Sequence, residues 1–433
     1  WLMGHKKKLH TLGVNRFTMK KVIIKAPLLT QSGYGEQSRF ALRSLRSRPD
    51  LFDIYIQPLE WGKTSWSRDF DDERKWIDET ILKTVQHVQQ GGTFDMSLQV
   101  TIPNEFQNLA PINIGYTAGI ETTKIAHQWM EPLNAMDGII TISSHSKRGL
   151  VHTQYEAHHQ NDPDNSFIVA NHTPTEFVNY PVKHFEELPE IDLQIDTEFN
   201  FLCASQFGPR KNINDTIKWF VEEFRDDENV GLIVKTFMAK NCLIDRAHTK
   251  DQVQSLLHSL GERKCKVYLI HGDMTDAEMH SLYSSEHVDA FISLAHGEGF
   301  GLTIYEAAYS GVPVIATGWS GQLDFLVDEQ GKENFYNVAF DLVPVPDHVV
   351  WEGVLTKDSM WANPREHAAK KEMRQCYEDI VSGKQPFKDY DKVLHERFSA
   401  EKQYKKFVDI FNGPTQDVDD WLAELLDVLI VND

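Results

Sequence analysis

The sequence predicts an α/β protein made of two domains, each with an open parallel sheet. Three observations point there. Short β-branched apolar runs alternate with longer amphipathic segments along most of the chain, the pattern of βαβ units. The length, 433 residues, suits two domains better than one. The stretch 171–198, with three prolines, many acids and no sustained period, divides the chain into halves of suitable size; 173–198 is taken as the linker.

The elements follow in order. In the first half, apolar runs predict strands at 21–26 (KVIIKA), 52–57 (FDIYIQ), 95–101 (DMSLQVT), 112–116 (INIGY), 138–142 (GIITI) and 166–170 (SFIVA). Helical periodicity falls on 35–47, 72–89, 124–135 and 144–152. In the second half strands are expected at 199–205, 230–236, 266–271, 288–294 and 312–316, with helices near 213–226, 250–260, 275–285 and 303–310. An irregular excursion covers 334–364, after which helical periodicity returns at 364–382, 399–411 and 417–431. The expected organisation is an extension or tag at 1–18, a first domain at 19–172, a second at 199–395, and C-terminal helices at 396–433 that are expected to cross back to the first domain.

Composition narrows the function. Hydrophobic content of 41% and charged content of 25% are ordinary for a folded protein. No apolar run is long enough to span a membrane, and the N-terminus lacks a signal peptide's apolar core. Cys203, Cys242, Cys265 and Cys376 are widely spaced, which fits a reducing cytoplasm and neither disulfides nor zinc. A net charge of −20 argues against broad contact with nucleic acid; the one dense basic run, HKKKLH, lies within the 1–18 extension.

Two open parallel sheets place ligands at the carboxyl ends of strands, where helix N-termini favour anions. The richest such place is HGEGFGLTIYEAA, 296–308, directly after an apolar strand. Gly297, Gly299 and Gly301 allow backbone N–H groups close to an anion, and Thr303 is expected to cap a helix starting near Ile304. Glu298 and Glu306 suit the hydroxyls of a sugar or ribose. A second Gly-rich turn, with Gly318 and Gly321, repeats the logic. Anion and polyol together describe a nucleotide sugar. Asp69/Asp71 and Asp162/Asp164 have acid spacing in polar stretches and are taken as solvated surface rather than a metal site.

The segment FISLAHGEGFGLTIYEAAYSGVPVIATGWSGQLDFL resembles the donor-binding segment of retaining GT-B glycosyltransferases, above all glycosyltransferase family 4. The family's E-x7-E motif falls on Glu298 and Glu306. FNFLCASQFGPRKNINDTIKWF and VYLIHGDMTDAEMHSLYSSEHVDAFISL are similar to the family's diphosphate and nucleobase segments. The resemblance implies a GT-B fold, two Rossmann-like domains whose parallel sheets face each other across a cleft, and transfer of a hexose or pentose with retained configuration. It implies that Glu306 holds the ribose and Glu298 the donor sugar. Gly299, Phe300, Gly301, Leu302 and Thr303 would form the turn beside the sugar and diphosphate. Lys211 would neutralise the leaving diphosphate, with Arg210 beside it. Gln206 stands where the family usually has an arginine. Met274 would frame the base, and Gly33 and Gly35, in KAPLLTQSGYGEQSRFALRSL, would face the phosphates from the first domain. Glu121, with His127 and His145 nearby, would lie on the acceptor side.

The donor implied is a UDP- or GDP-sugar, without an essential metal and without integral membrane association. Residues 112–150 and 361–377 resemble a subgroup met in tailed bacteriophages, which implies the host cytoplasm. The acceptor is left open among a modified base in phage DNA, a glycan, a lipid-linked sugar and a protein. Rival readings are an epimerase or phosphorylase on the same fold, and an inactive protein that binds sugar nucleotides.

Overall fold

The computed structural model describes residues 19–62, 64–66, 70–159 and 162–413. The 1–18 extension and the helix expected at 417–431 lie outside these residues.

Two six-stranded parallel sheets form the frame. The first contains β1 (Lys20–Ala26), β2 (Phe52–Pro58), β3 (Met96–Val100), β4 (Ile112–Thr117) and β5 (Gly138–Thr141). Its sixth strand is not 166–170. That segment belongs to a hairpin of β6 (Gln154–His159) and β7 (Asp162–Ala170), which pair antiparallel to each other. The sheet is completed by β8 (Thr175–Phe177), inside the stretch expected as linker, and the order is β2-β1-β3-β4-β5-β8. The apolar run at 166–170 is a true strand, and its pairing with β6 is something apolar alternation does not encode.

The second sheet contains β9 (Phe199–Ala204), β10 (Val230–Thr236), β11 (Lys266–His271), β12 (Ala290–Ser293), β13 (Val314–Thr317) and β14 (Tyr336–Val338), in the order β11-β10-β9-β12-β13-β14. The central strands β9 and β10 are buried almost throughout, as parallel strands covered on both faces must be. The excursion after β14 holds an antiparallel pair, β15 (Phe340–Pro344) and β16 (Met360–Pro364). Its loop reaches the first domain. Thr123 N–H donates to the Met360 carbonyl at 2.9 Å, Trp129 Nε1 donates to the Gly353 carbonyl at 2.9 Å, and Lys124 pairs with Asp358.

The region expected as a helix at 124–135 is only a 3-10 turn, His127–Trp129, and one short helix, Met130–Asn134. Ile125, Trp129 and Leu133 are nevertheless fully buried, so apolar spacing served packing rather than a long helix.

Residues 400–413 are helical and lie against the first sheet. The Phe407 ring is 5.5 Å from Phe40 and 5.2 Å from Tyr116, and Phe411 is 5.6 Å from Phe52. Both phenylalanines are fully buried, each worth roughly 2–3 kcal/mol against exposure. Before this helix, Val182 N–H of the linker donates to the Phe398 carbonyl. The chain therefore passes between the domains twice.

Candidate functional site

The carboxyl ends of β12 and β13 carry the two Gly-rich turns, and the turns pack on each other. Glu298 N–H donates to Ser320 Oγ at 2.8 Å, and Gly321 N–H donates to the Glu298 carbonyl at 3.0 Å. A Cβ on Gly321 would sit 2.0 Å from the Gly299 carbonyl oxygen, so no other residue fits there. The helix after the first turn runs Leu302–Tyr309, capped by Gly301 at φ +94°. It thus begins two residues before Ile304, and Thr303 lies in its first turn rather than capping it. Gly301 has no side chain to occupy the first-turn N–H groups, which leaves the positive helix end to an anion.

Glu298 is 6% exposed and sits between two cations from the loop after β9. Lys211 Nζ lies 2.5 Å from Glu298 Oε1, and Arg210 Nη1 lies 3.1 Å from Oε2. Burial pushes the Glu298 carboxyl up; Lys211 and Arg210 outweigh it and hold the acid below its ordinary range. Arg210 donates further to the Gly297 carbonyl at 2.7 Å, and its Nη2 meets Glu121 Oε1 of the first domain at 3.1 Å. Burial alone would lower the Arg210 guanidinium, yet Glu121 and Glu298 raise it, so it stays charged.

Glu306 forms a second cluster, one helix turn inward. Tyr283 O–H donates to Oε2 at 3.2 Å, and Lys183 Nζ lies 3.8 Å from Oε1. Burial pushes the carboxyl up to about 7, against the opposing pull of Lys183. Lys183 also meets Asp276 at 2.8 Å and Glu36 at 3.2 Å. Glu36 feels burial in the same upward sense, but Lys183, Arg39 and Arg43 bring it down to about 2.

The structure brings Lys211, Arg210, Glu298 and Glu121 into one network and sets Phe300, Gly301, Leu302 and Thr303 at the adjoining helix start. Gly33 and Gly35 begin the helix Gly33–Arg46, where Gly35 N–H donates to the Ser32 cap at 2.9 Å; Gly33 is exposed. Tyr34, between them, bonds Thr117 Oγ1 at 3.0 Å and receives the Ala118 N–H, which ties that loop to the end of β4. Gln206 is exposed and donates to the Met238 carbonyl at 2.7 Å, away from Glu298. Met274 is half-buried beside the helix bearing Asp276. His127 is exposed with its ring edge-on to Tyr155 at 5.9 Å, apart from the cluster. His145 is buried, edge-on to Trp319 of the second domain at 4.9 Å, and burial takes it down to about 4.

Sequence reasoning missed Glu36, Lys183 and Asp324. Asp324 accepts from Ser144 N–H at 2.8 Å and from Asn179 Nδ2 at 2.9 Å, and also pairs with the Ser144 hydroxyl. Glu36 had a signal, an acid in the first turn right after Ser-Gly-Tyr-Gly. Lys183 had only its place in the linker. Among the described residues, no three His, Cys, Asp or Glu side chains converge to hold a metal ion, and no helix is long and apolar enough to cross a membrane.

Residues 185–336, which carry Lys211, Glu298 and Glu306, match the family of glycosyl transferases group 1. No curated protein sequence matches the chain. Solved structures that align at TM-scores above 0.5 share the GT-B fold. Sucrose-phosphate synthase from Thermosynechococcus elongatus aligns at a TM-score of 0.57 and 12% identity, over 92% of this chain and 100% of its own. HepE from Anabaena, in complex with UDP and glucose, aligns at 0.53 and 10%, over 91% of this chain and 100% of its own. TarM of S. aureus aligns at 0.47 and 16%, over 73% of this chain but only 55% of its own. The fold is therefore α/β of the GT-B type, and residues 185–336 are similar to glycosyl transferases group 1.

Proposed function

We propose that the chain is a retaining glycosyltransferase of family 4 type that moves a sugar from a UDP-sugar to an acceptor hydroxyl. The observation that carries this reading is the placement of Lys211 and Arg210 on Glu298, beside the start of the Leu302–Tyr309 helix, whose Gly301 cap brings no side chain to its N–H groups. Two cations and a positive helix end are what a leaving diphosphate requires; a buried carboxylate among them is what a sugar hydroxyl requires. UDP in the HepE complex supports this donor class. The likeness of 112–150 and 361–377 to phage-type sequences supports that subgroup.

In this mechanism the bond from the anomeric carbon to the diphosphate oxygen breaks as the acceptor oxygen approaches from the same face. Lys211 and Arg210 stabilise the charge that develops on the departing oxygen. Glu298 accepts from hydroxyls of the sugar and fixes its orientation. Glu306 accepts from the ribose. The acceptor proton leaves with the diphosphate, so no separate protein base is needed. Domain contacts at Glu121, Ser144 and Thr123 close the cleft and exclude water, which limits donor hydrolysis.

A thermal-shift panel of UDP-, GDP- and ADP-sugars tests the reading. A bound donor at about 100 times its Kd should add about 2.7 kcal/mol of stability. Failure of all three nucleotide classes to bind would sink it.

A further inference from the structure

The linker sends one cation into the donor side of the cleft. Lys183 Nζ lies within 4.0 Å of carboxylates from three helices: Glu36 of Gly33–Arg46, Asp276 of Asp276–Tyr283, and Glu306 of Leu302–Tyr309. These acids differ in what else they have. Glu36 also meets Arg39 at 3.2 Å and Arg43 at 3.5 Å. The Asp276 side chain is 53% exposed, so water serves it. Glu306 keeps only 12% of its side-chain accessibility, and among the described residues Lys183 is the one cation paired with it.

The remaining groups around Glu306 do not replace that cation. Glu36 and Asp276 face it as like charges, and the Tyr283 hydroxyl donates one hydrogen bond. Lys235 of β10 acts at longer range, and Tyr305 and Tyr309 of its own helix are neutral. The balance without Lys183 favours a protonated acid.

We infer that Lys183 is a positioning residue for the donor ribose, holding Glu306 in its ionised, hydroxyl-accepting form and tying it to Glu36 of the first domain. The inference rests on the reading of Glu306 as the ribose ligand. A carboxylate accepts from both ribose hydroxyls; once protonated it loses an acceptor site and must place a proton of its own. Burial already carries Glu306 up to about 7, so a modest loss of opposing charge changes its state at neutral pH.

The test is calorimetric binding of UDP, GDP and ADP to the full chain between pH 6 and 9, for wild type, Lys183→Met and Lys183→Arg. Wild type should lose affinity below about pH 7. In Lys183→Met the midpoint should move up by about one unit, which weakens binding at pH 7 about fivefold and leaves it near wild type by pH 9. Lys183→Arg should restore the wild-type midpoint. A Lys183→Met midpoint equal to wild type overturns the inference and leaves the donor reading standing. If wild type binds none of the three at any pH, the donor reading fails and this inference falls with it. Should Lys183→Met not fold, Glu36→Gln serves in its place. It removes a competing carboxylate, so the midpoint should move down; an unchanged or raised midpoint overturns the inference.

Discussion

Arg210 joins the two domains through Glu121: its Nη2 stands 3.1 Å from Glu121 Oε1 while its Nη1 holds Glu298 at 3.1 Å. The cation proposed to meet the diphosphate is thus engaged by a carboxylate on each side of the cleft. A donor diphosphate must compete with both.

Relief of that competition gives the first prediction. Glu121→Gln should tighten UDP binding by about two- to fivefold, the worth of one partly exposed ion pair. Isothermal titration at low salt checks it, and the gain should shrink as salt rises. Weaker binding would instead place Glu121 among the groups that help hold the nucleotide.

Lys211→Ala should lower turnover of a bound donor by about 10²–10³, the usual effect of removing one group that stabilises a developing charge. It also leaves buried Glu298 with Arg210 alone, so stability should fall by about 1–3 kcal/mol. Hydrolysis of the donor under saturating conditions separates the two effects. Unchanged turnover would remove Lys211 from the chemistry.

Glu306 links pH to stability. Its folded pKa, about 7, lies above its ordinary value of 4.5, so the folded state binds this proton more tightly. The stability it contributes is fully present below about pH 4.5 and is lost as pH rises through about 7. Glu306→Gln carries no such titration. Relative to wild type it should gain on the order of 2–3 kcal/mol by pH 8 and little at pH 4.5. Urea midpoints at the two pH values decide this. The same variant should bind UDP more weakly, so stability and binding should move in opposite directions.

Gly297→Ala tests how closely the domains meet. A Cβ there would lie 2.2 Å from the Glu121 carbonyl oxygen and 2.9 Å from the Trp319 ring. The loop of the first domain must retreat, at a cost of about 2–4 kcal/mol. Denaturant unfolding should show the loss, and small-angle scattering a wider cleft. A wild-type midpoint would mean the loops separate freely in solution.

The frame was legible because buried parallel strands are nearly continuous apolar runs, as in 199–204 and 230–236. The short edge strand Thr175–Phe177 escaped notice: it has three residues, one of them a glutamate, and follows a proline. The pairing of Glu298 with Lys211 is not written in either segment, although the family pattern singled out both residues. Lys183 was hidden more deeply. Its partners come from three helices far apart in the chain, and only the closed arrangement of both domains assembles them.

The helix over 400–413 fixes the order in which the molecule can be completed. The first sheet takes Phe407 and Phe411 into its core, yet these residues leave the ribosome after the entire second sheet. The second sheet, contiguous in the chain from Phe199 to Val338, has all its strands in hand earlier. The half that is synthesised first is therefore the half that finishes last, and truncation before Phe407 should damage the domain at the opposite end of the chain.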